Sequence, residues 1–85
     1  MPDVTIYTTP FCSYCQMAKG LLRRKSIAFT EIDVSGDPSQ RQAMAQKAHG
    51  RRTVPQIFIG TTHVGGCDDL HELEAAGRLN SLLAS

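Results

Sequence analysis

The sequence predicts an α/β fold: a four-stranded mixed sheet flanked by helices, in the order βαβαββα with a short helix at the C-terminal end. In the first half of the chain, β-branched and aromatic runs alternate with stretches that carry apolar residues at helical spacing. In the second half, two short apolar runs flank a glycine-containing turn, which is typical of a β-hairpin. At 85 residues, the chain is expected to form one domain, over residues 1–85, with a modest core.

The first half is expected to form a βαβ unit. A strand over residues 3–8 precedes a helix over about 13–25, which Ser26 interrupts, and a second strand begins at Ile27. Because the links are short, the two strands should be parallel, with a right-handed crossover.

A second helix is predicted over about 38–48. Asp37 is a favourable N-cap because its side chain accepts from free N–H groups of the first turn, where Pro38 is also tolerated. Gly50 ends the helix. His49, just before that glycine, is interpreted as a helix-end residue rather than a ligand.

The β-hairpin follows. Residues 57–59, Ile-Phe-Ile, are typical of a buried strand, with Pro55 at its start, where a missing N–H is tolerated. The connection at 60–62 leads into a short returning strand over 62–64, in which His63 is expected to be exposed.

Two helices are expected to close the chain. Asp68 or Asp69 is predicted to cap a third helix, which contains Leu70 and which Gly77 interrupts. The leucines between 79 and 83 predict a short final helix.

Composition narrows the class of partner. The net charge is +1, so no overall basic field favours nucleic acid or an anionic membrane. The basic cluster that starts at Lys19 is interpreted as a solvated helix face. Three cysteines are too few for a disulfide scaffold and fit a reducing compartment. Without a signal peptide or an apolar run of membrane length, the sequence predicts a cytoplasmic protein.

The residues with the clearest chemistry are Cys12 and Cys15, where the first strand ends and the first helix begins. Free N–H groups and the helix dipole favour an anion there, and a thiolate is such an anion. Cysteines in Cys-x-x-Cys pairs at helix N-termini are commonly reactive. We assign Cys12 as the nucleophile and Cys15, one turn into the helix and partly covered, as the resolving thiol.

Two alternatives do not involve redox chemistry. A structural disulfide between Cys12 and Cys15 would close a very short loop and stabilise little. A zinc site would need four ligands, for which Cys67, His49 and His63 are available in principle. The redox interpretation is favoured because a Cys-x-x-Cys near a βαβ unit is the thioredoxin-like signature.

Three segments resemble the signatures of dithiol glutaredoxins of the small bacterial type. They are Cys12-Ser13-Tyr14-Cys15, Thr53-Val54-Pro55 and Gly65-Gly66-Cys67-Asp68-Asp69, in the order and spacing of that family. The resemblance covers nearly the whole chain. It implies a minimal thioredoxin fold and a glutathione-dependent thiol–disulfide oxidoreductase active in cell redox homeostasis. Such an enzyme reduces protein–glutathione mixed disulfides and some protein disulfides.

The resemblance also implies a site for glutathione as co-substrate. It places a cis bond between Val54 and Pro55 and an N-cap at Asp68, which would hold the γ-glutamyl group beside helix-start amides. The implied glutathione-binding residues are Tyr14, Gln42, Arg52, Thr53, Val54, Pro55, Gly66, Cys67 and Asp68.

Two positions depart from the family pattern. Thr9 stands where many relatives carry a lysine, and Ser13 stands where proline is common. In the family, loss of that proline is associated with a [2Fe–2S] cluster held between two subunits by the first cysteine and glutathione. The alternative function is therefore an iron–sulfur carrier or redox sensor, in which Cys12 ligates a cluster in a homodimer. The main prediction is a monomer without metal that acts on glutathionylated or disulfide-containing proteins.

Overall fold

The computed structural model describes residues 2–84 and confirms the predicted fold class. A four-stranded mixed sheet lies between two helical layers. The strands are β1 (Val4–Thr8), β2 (Thr30–Asp33), β3 (Gln56–Ile59) and β4 (Thr62–Gly65). The helices are α1 (Ser13–Arg24), α2 (Pro38–Lys47), α3 (Cys67–Ala75) and α4 (Leu79–Ala84).

The sheet has the strand order β2-β1-β3-β4. As predicted, β1 and β2 are parallel, and β3 and β4 form an antiparallel hairpin. Strand β3 also pairs antiparallel with β1. The central position of β1 directs the residues that follow Thr8 to one edge of the molecule, where α1 begins.

Each face of the sheet packs against its own helices. On one face, alternate residues of β1 and β3, among them Ile6 and Ile57, pack against α1, α3 and α4. On the other face, Tyr7 and Phe58 pack against Met44 of α2, and their rings meet edge to face with centroids 5.7 Å apart. The period of two along buried strands thus supplies two small cores.

Local capping follows the sequence at two helix ends. The Asp37 side chain accepts a hydrogen bond from the Gln40 N–H at 3.1 Å, at the start of α2. Ser26 takes a positive φ of 57°, a conformation that ends a helix, directly after the cap at Lys25.

Two boundaries differ from the prediction. Strand β2 begins at Thr30, because Ile27 is used in the core and its N–H bonds to the Leu22 carbonyl oxygen. The N-cap of α3 is Gly66, so the prediction that Asp68 or Asp69 is the N-cap was wrong. Asp69 still caps the helix from its third position, since its carboxylate accepts from the Gly66 N–H at 2.8 Å.

Two side chains are more buried than the sequence indicated. Lys19 is 7% exposed, and it pairs with Glu31 instead of lying on a solvated face. His63 is half-buried instead of exposed, because its ring stacks on Phe58 with centroids 5.0 Å apart. Among residues 2–84, no helix is both long and apolar enough to cross a membrane.

Candidate active site

Cys12 is the N-cap residue of α1, where the chain leaves β1 and turns into the helix. Its Sγ atom accepts a hydrogen bond from the Cys15 N–H at 3.1 Å and lies 3.8 Å from the Val54 carbonyl oxygen. The residue is partly exposed. The helix-start N–H stabilises negative charge on this sulfur, and solvent can reach it, as a nucleophile requires.

Cys15 is in a very different environment. It is fully buried, and burial together with a hydrogen bond to Cys12 raises the pKa of Cys15 to about 12. A backbone hydrogen bond from Thr9 and the charge of Lys19 act in the opposite direction. Cys15 is therefore a neutral thiol at physiological pH. Part of this rise comes from Cys12, so the pKa of Cys15 should be lower once Cys12 is in a disulfide.

A polar cluster includes Lys19, the residue whose charge acts on Cys15. The Lys19 ammonium is 2.9 Å from a carboxylate oxygen of Glu31, which also accepts from the Thr8 hydroxyl at 2.6 Å. Both hydrogen bonds lower the pKa of Glu31, and the one from the Thr8 hydroxyl has the larger effect. The pair satisfies a lysine that the fold has taken out of water, as a buried charge requires.

A cavity of about 480 Å³ lies close to Cys12, which is not itself a lining residue but whose sulfur is 3.8 Å from the carbonyl oxygen of the lining residue Val54. It lies between the start of α1, the segment before β3 and the start of α3. The residues that line it are Tyr14, Arg51, Thr53, Val54, Pro55, Gly66, Cys67, Asp68, Asp69 and Glu72.

The segment before β3 forms one wall of this cavity. The Val54–Pro55 peptide bond is cis, as the resemblance implied. The carboxamide of buried Gln56 donates to the Thr53 carbonyl oxygen at 3.0 Å and to its hydroxyl at 3.2 Å. The guanidinium of Arg41 donates to the Arg52 carbonyl oxygen at 3.1 and 3.2 Å. The wall is thus held by side chains from both sides.

The start of α3 forms the opposite wall. Asp69 accepts from the Gly66 N–H and lies 3.4 Å from the Arg51 guanidinium. Both contacts lower the pKa of Asp69, and the hydrogen bond from the Gly66 N–H has the larger effect. Gly65 has a φ of 114°, and a Cβ atom there would lie 2.3 Å from the Asp69 carboxylate. Only glycine fits this turn.

The structure brings together most of the residues that the resemblance implied. Seven of the nine line the cavity: Tyr14, Thr53, Val54, Pro55, Gly66, Cys67 and Asp68. The other two, Gln42 and Arg52, are exposed and do not line it. Their assignment to glutathione stays a prediction.

Three lining residues were missed by sequence reasoning: Arg51, Asp69 and Glu72. Arg51 adjoins the residue that was chosen, and nothing in two consecutive arginines shows which one turns inward. Glu72 follows Asp68 by four positions, so helical periodicity alone places both on one face.

Cys67 does not form a Cys–His nucleophile, although His71 Nδ1 lies 3.4 Å from its sulfur. The same nitrogen lies 2.9 Å from the Cys67 carbonyl oxygen, which can only accept, so Nδ1 carries the proton. Burial, followed by the charges of Asp68 and Cys12, raises the pKa of the Cys67 thiol. Cys67 therefore lines the cavity as a neutral thiol.

The zinc alternative finds no support in this arrangement. Within the part of the chain that the structure describes, no three His, Cys, Asp or Glu side chains are grouped to hold a metal ion. His49 and His63 contact each other through Nδ1 atoms 3.2 Å apart, while Cys67 contacts His71.

A thioredoxin-like fold with an accessible thiol at a helix N-terminus and a buried thiol three residues later defines a thiol–disulfide oxidoreductase. The glutaredoxin family model matches residues 4–64, and the chain belongs to the glutaredoxin family. A glutaredoxin of Pseudomonas aeruginosa is 59% identical over 85 residues, which is 100% of both chains.

Solved structures of glutaredoxins are also similar to this chain. The solution structure of a glutaredoxin from Brucella melitensis has a TM-score of 0.86 and 58% identity, covering 98% of this chain and 89% of that one. A crystal structure of a buckwheat glutaredoxin–glutathione complex has a TM-score of 0.88 and 29% identity, covering 98% and 77%.

Proposed function

We propose that this protein is a glutathione-dependent reductase of protein–glutathione mixed disulfides, with Cys12 as nucleophile and Cys15 as resolving thiol. The observation that carries the proposal is the position of Cys12: the residue is partly exposed, and its sulfur lies 3.8 Å from Val54, which lines a cavity of about 480 Å³ with polar walls. A disulfide-linked peptide can bind there with its sulfur beside Cys12.

The cavity walls match the chemistry of glutathione, a peptide with two carboxylates and one ammonium group. Val54 lines the cavity just before β3 begins, and its carbonyl oxygen lies 3.8 Å from the Cys12 sulfur, so its backbone can pair with the peptide backbone of a glutathione bound at Cys12. The first amides of α3 favour a carboxylate, and the exposed Asp68 favours the ammonium group. Arg51 lines the cavity and is better placed than Arg52 to meet the second carboxylate. The related buckwheat protein in complex with glutathione adds support.

The reaction takes two thiol–disulfide exchanges. The Cys12 thiolate attacks the glutathione sulfur of a mixed disulfide, forming a Cys12–glutathione bond while the substrate protein leaves as a thiolate and takes up a proton. A second glutathione thiolate then attacks the bound glutathione sulfur, releasing oxidised glutathione and regenerating Cys12. The net reaction consumes one reduced glutathione, whose sulfur is oxidised to the disulfide level as the sulfur of the substrate protein is reduced to a thiol.

Cys15 provides a second way to resolve the intermediate. Its thiolate attacks the Cys12 sulfur, forms a Cys12–Cys15 disulfide and releases reduced glutathione. The hydrogen bond and the charge of Cys12 both raise the pKa of Cys15, so the Cys15 thiolate should form more readily once Cys12 is bound to glutathione, with burial as the remaining cause that raises the pKa. The same step lets the protein reduce disulfides within other proteins. Fully exposed Phe11, with half-exposed Tyr14 and Met17, offers apolar surface around Cys12 for such partners.

The second candidate is a [2Fe–2S] carrier. A cluster needs four thiolates, and of the three cysteines Cys12 is the accessible one. The residues therefore fit a cluster only in a homodimer, with Cys12 from each chain and two glutathione thiolates. Exposed Ser13 after Cys12 permits this, whereas a proline would stiffen the turn.

Anaerobic reconstitution with iron, sulfide and glutathione, followed by size-exclusion chromatography, separates the two candidates. A brown dimer that loses colour and dissociates when glutathione is removed supports the carrier. A colourless monomer that is active as a reductase would exclude the carrier and leave the reductase as the remaining candidate. We also propose that the protein acts in the cytoplasm, because three cysteines are too few for a disulfide scaffold and fit a reducing compartment.

Turnover of two model substrates tests the reductase. One peptide carries a glutathione mixed disulfide and its control carries a cysteine mixed disulfide at the same position. We expect a kcat/KM at least tenfold higher for the glutathionylated peptide, since one or two charge-assisted hydrogen bonds suffice for that ratio. Equal values for the two peptides would refute glutathione recognition.

A further inference from the structure

Gln56 is a fully buried polar residue that takes no part in the chemistry described above. It does not line the cavity, yet it lies directly behind the wall that Thr53 and Val54 form. A buried carboxamide is expected to have all its polar atoms paired. Its partners therefore show what it holds in place.

The donor and acceptor rules fix the orientation of this carboxamide. The Thr53 carbonyl oxygen can only accept a hydrogen bond, so the group 3.0 Å from it must be the Gln56 NH₂. The Gln56 oxygen then faces His63, whose Nε2 lies 2.7 Å away and must carry a proton. His63 thus holds Gln56 in the orientation that lets it hold Thr53.

The His63 ring is itself held, by stacking on Phe58 with an interplanar angle of 28°. Its other nitrogen, Nδ1, faces His49 Nδ1 at 3.2 Å. Burial lowers the pKa of His63, as do the charges of His49 and Arg51, while Asp69 acts against them. Because Nε2 carries its proton in both the neutral and the charged ring, the hydrogen bond to Gln56 persists across this titration.

We propose that Gln56, oriented by His63, is a positioning residue for glutathione recognition. It fixes the Thr53–Val54 segment, whose Val54 carbonyl oxygen lies 3.8 Å from the Cys12 sulfur. Arg41 holds the preceding residue, Arg52, by its carbonyl oxygen. The inference rests on the proposed function, since the segment it fixes is the one proposed to pair with the glutathione backbone.

Two variants interrupt the proposed chain at successive points. Gln56→Met keeps the volume but removes both hydrogen bonds to Thr53. His63→Phe keeps an aromatic ring against Phe58 but removes the donor to the Gln56 oxygen. We expect each to lower kcat/KM for the glutathionylated peptide by about tenfold, mainly through KM. His49→Ala is the matched control: it removes the outer partner of His63 without touching Gln56, and it should keep wild-type kinetics.

Two further measurements separate positioning from general damage. Alkylation of Cys12 by iodoacetamide needs no glutathione site, so its rate should stay within about twofold of wild type in both variants. In the double variant Gln56→Met/His63→Phe, the losses should not add, because His63 acts through Gln56.

The outcomes are distinct. If wild type prefers the glutathionylated peptide but Gln56→Met keeps its KM, the positioning role is refuted and the proposed function stands. Losses that add, or that come with equally slowed alkylation, also refute it. If wild type itself shows no preference for glutathione, the proposed function and this inference fall together.

Discussion

Replacing Gly65 with alanine tests how the wall at the start of α3 is built. Gly65 has a φ of 114°, and a Cβ atom would lie 2.3 Å from a carboxylate oxygen of Asp69 and 2.8 Å from its Cγ. Asp69 would have to leave the Gly66 N–H that it caps at 2.8 Å. The variant therefore combines backbone strain with the loss of a helix cap.

The magnitude follows from these two effects. Strain at such a φ costs about 1–3 kcal/mol, and loss of a capping contact costs about 1 kcal/mol. The free energy of unfolding should fall by roughly 2–4 kcal/mol, measured by urea denaturation. In a domain of this size that lowers Tm by roughly 10–25 °C.

Gly36→Ala is the control, because Gly36 also has a positive φ, of 69°, but no atom within 4 Å of the added Cβ. It should lose only about 1–2 kcal/mol. In an Asp69→Ala background, Gly65→Ala should approach that smaller cost. A Gly65→Ala variant within about 0.5 kcal/mol of wild type would refute this account of the turn.

Three further predictions concern the thiols and Asp69. Cys15→Ser should keep deglutathionylation, since glutathione itself resolves the intermediate, but lose reduction of protein disulfides; the two assays in parallel decide this, with inactive Cys12→Ser as control. Cys67→Ser should change kcat/KM for a glutathionylated peptide by less than about twofold, because its neutral thiol is not the nucleophile; a loss as large as that of Cys12→Ser would contradict this. Asp69 has a lowered pKa when folded, so its charge stabilises the protein above its unfolded pKa, roughly 4, and that contribution is lost as the pH falls through the folded value. Asp69→Asn should therefore cost stability at pH 7 and progressively less below about pH 4, and a difference that is independent of pH would exclude a charge effect.

Local patterns were enough to predict much of the fold. Asp37 caps α2 as expected because an N-cap needs only its own first turn. The parallel pairing of β1 and β2 followed from the short links of a βαβ unit. The position of Cys12 at the start of α1 could be predicted because strand, turn and helix are adjacent in sequence.

Two errors occurred where distant segments meet. Lys19 looked like a solvated residue because its partner, Glu31, lies on a strand that the helix pattern does not reveal. His63 is half-buried because Phe58 and Gln56 come from the neighbouring strand. A third error is local: Asp69 caps α3 from inside the helix, since Gly65 leaves room for its carboxylate at Gly66.

Trapping the covalent intermediate tests the central claim most directly. Reduced Cys15→Ser protein is treated with oxidised glutathione, and the adduct is mapped by peptide mass spectrometry. We predict one glutathione per chain, on Cys12, which is released with recovery of the free thiol when reduced glutathione is added. No adduct, or an adduct on Cys67 with Cys12 left free, would contradict the assignment of Cys12 as the glutathione-accepting nucleophile.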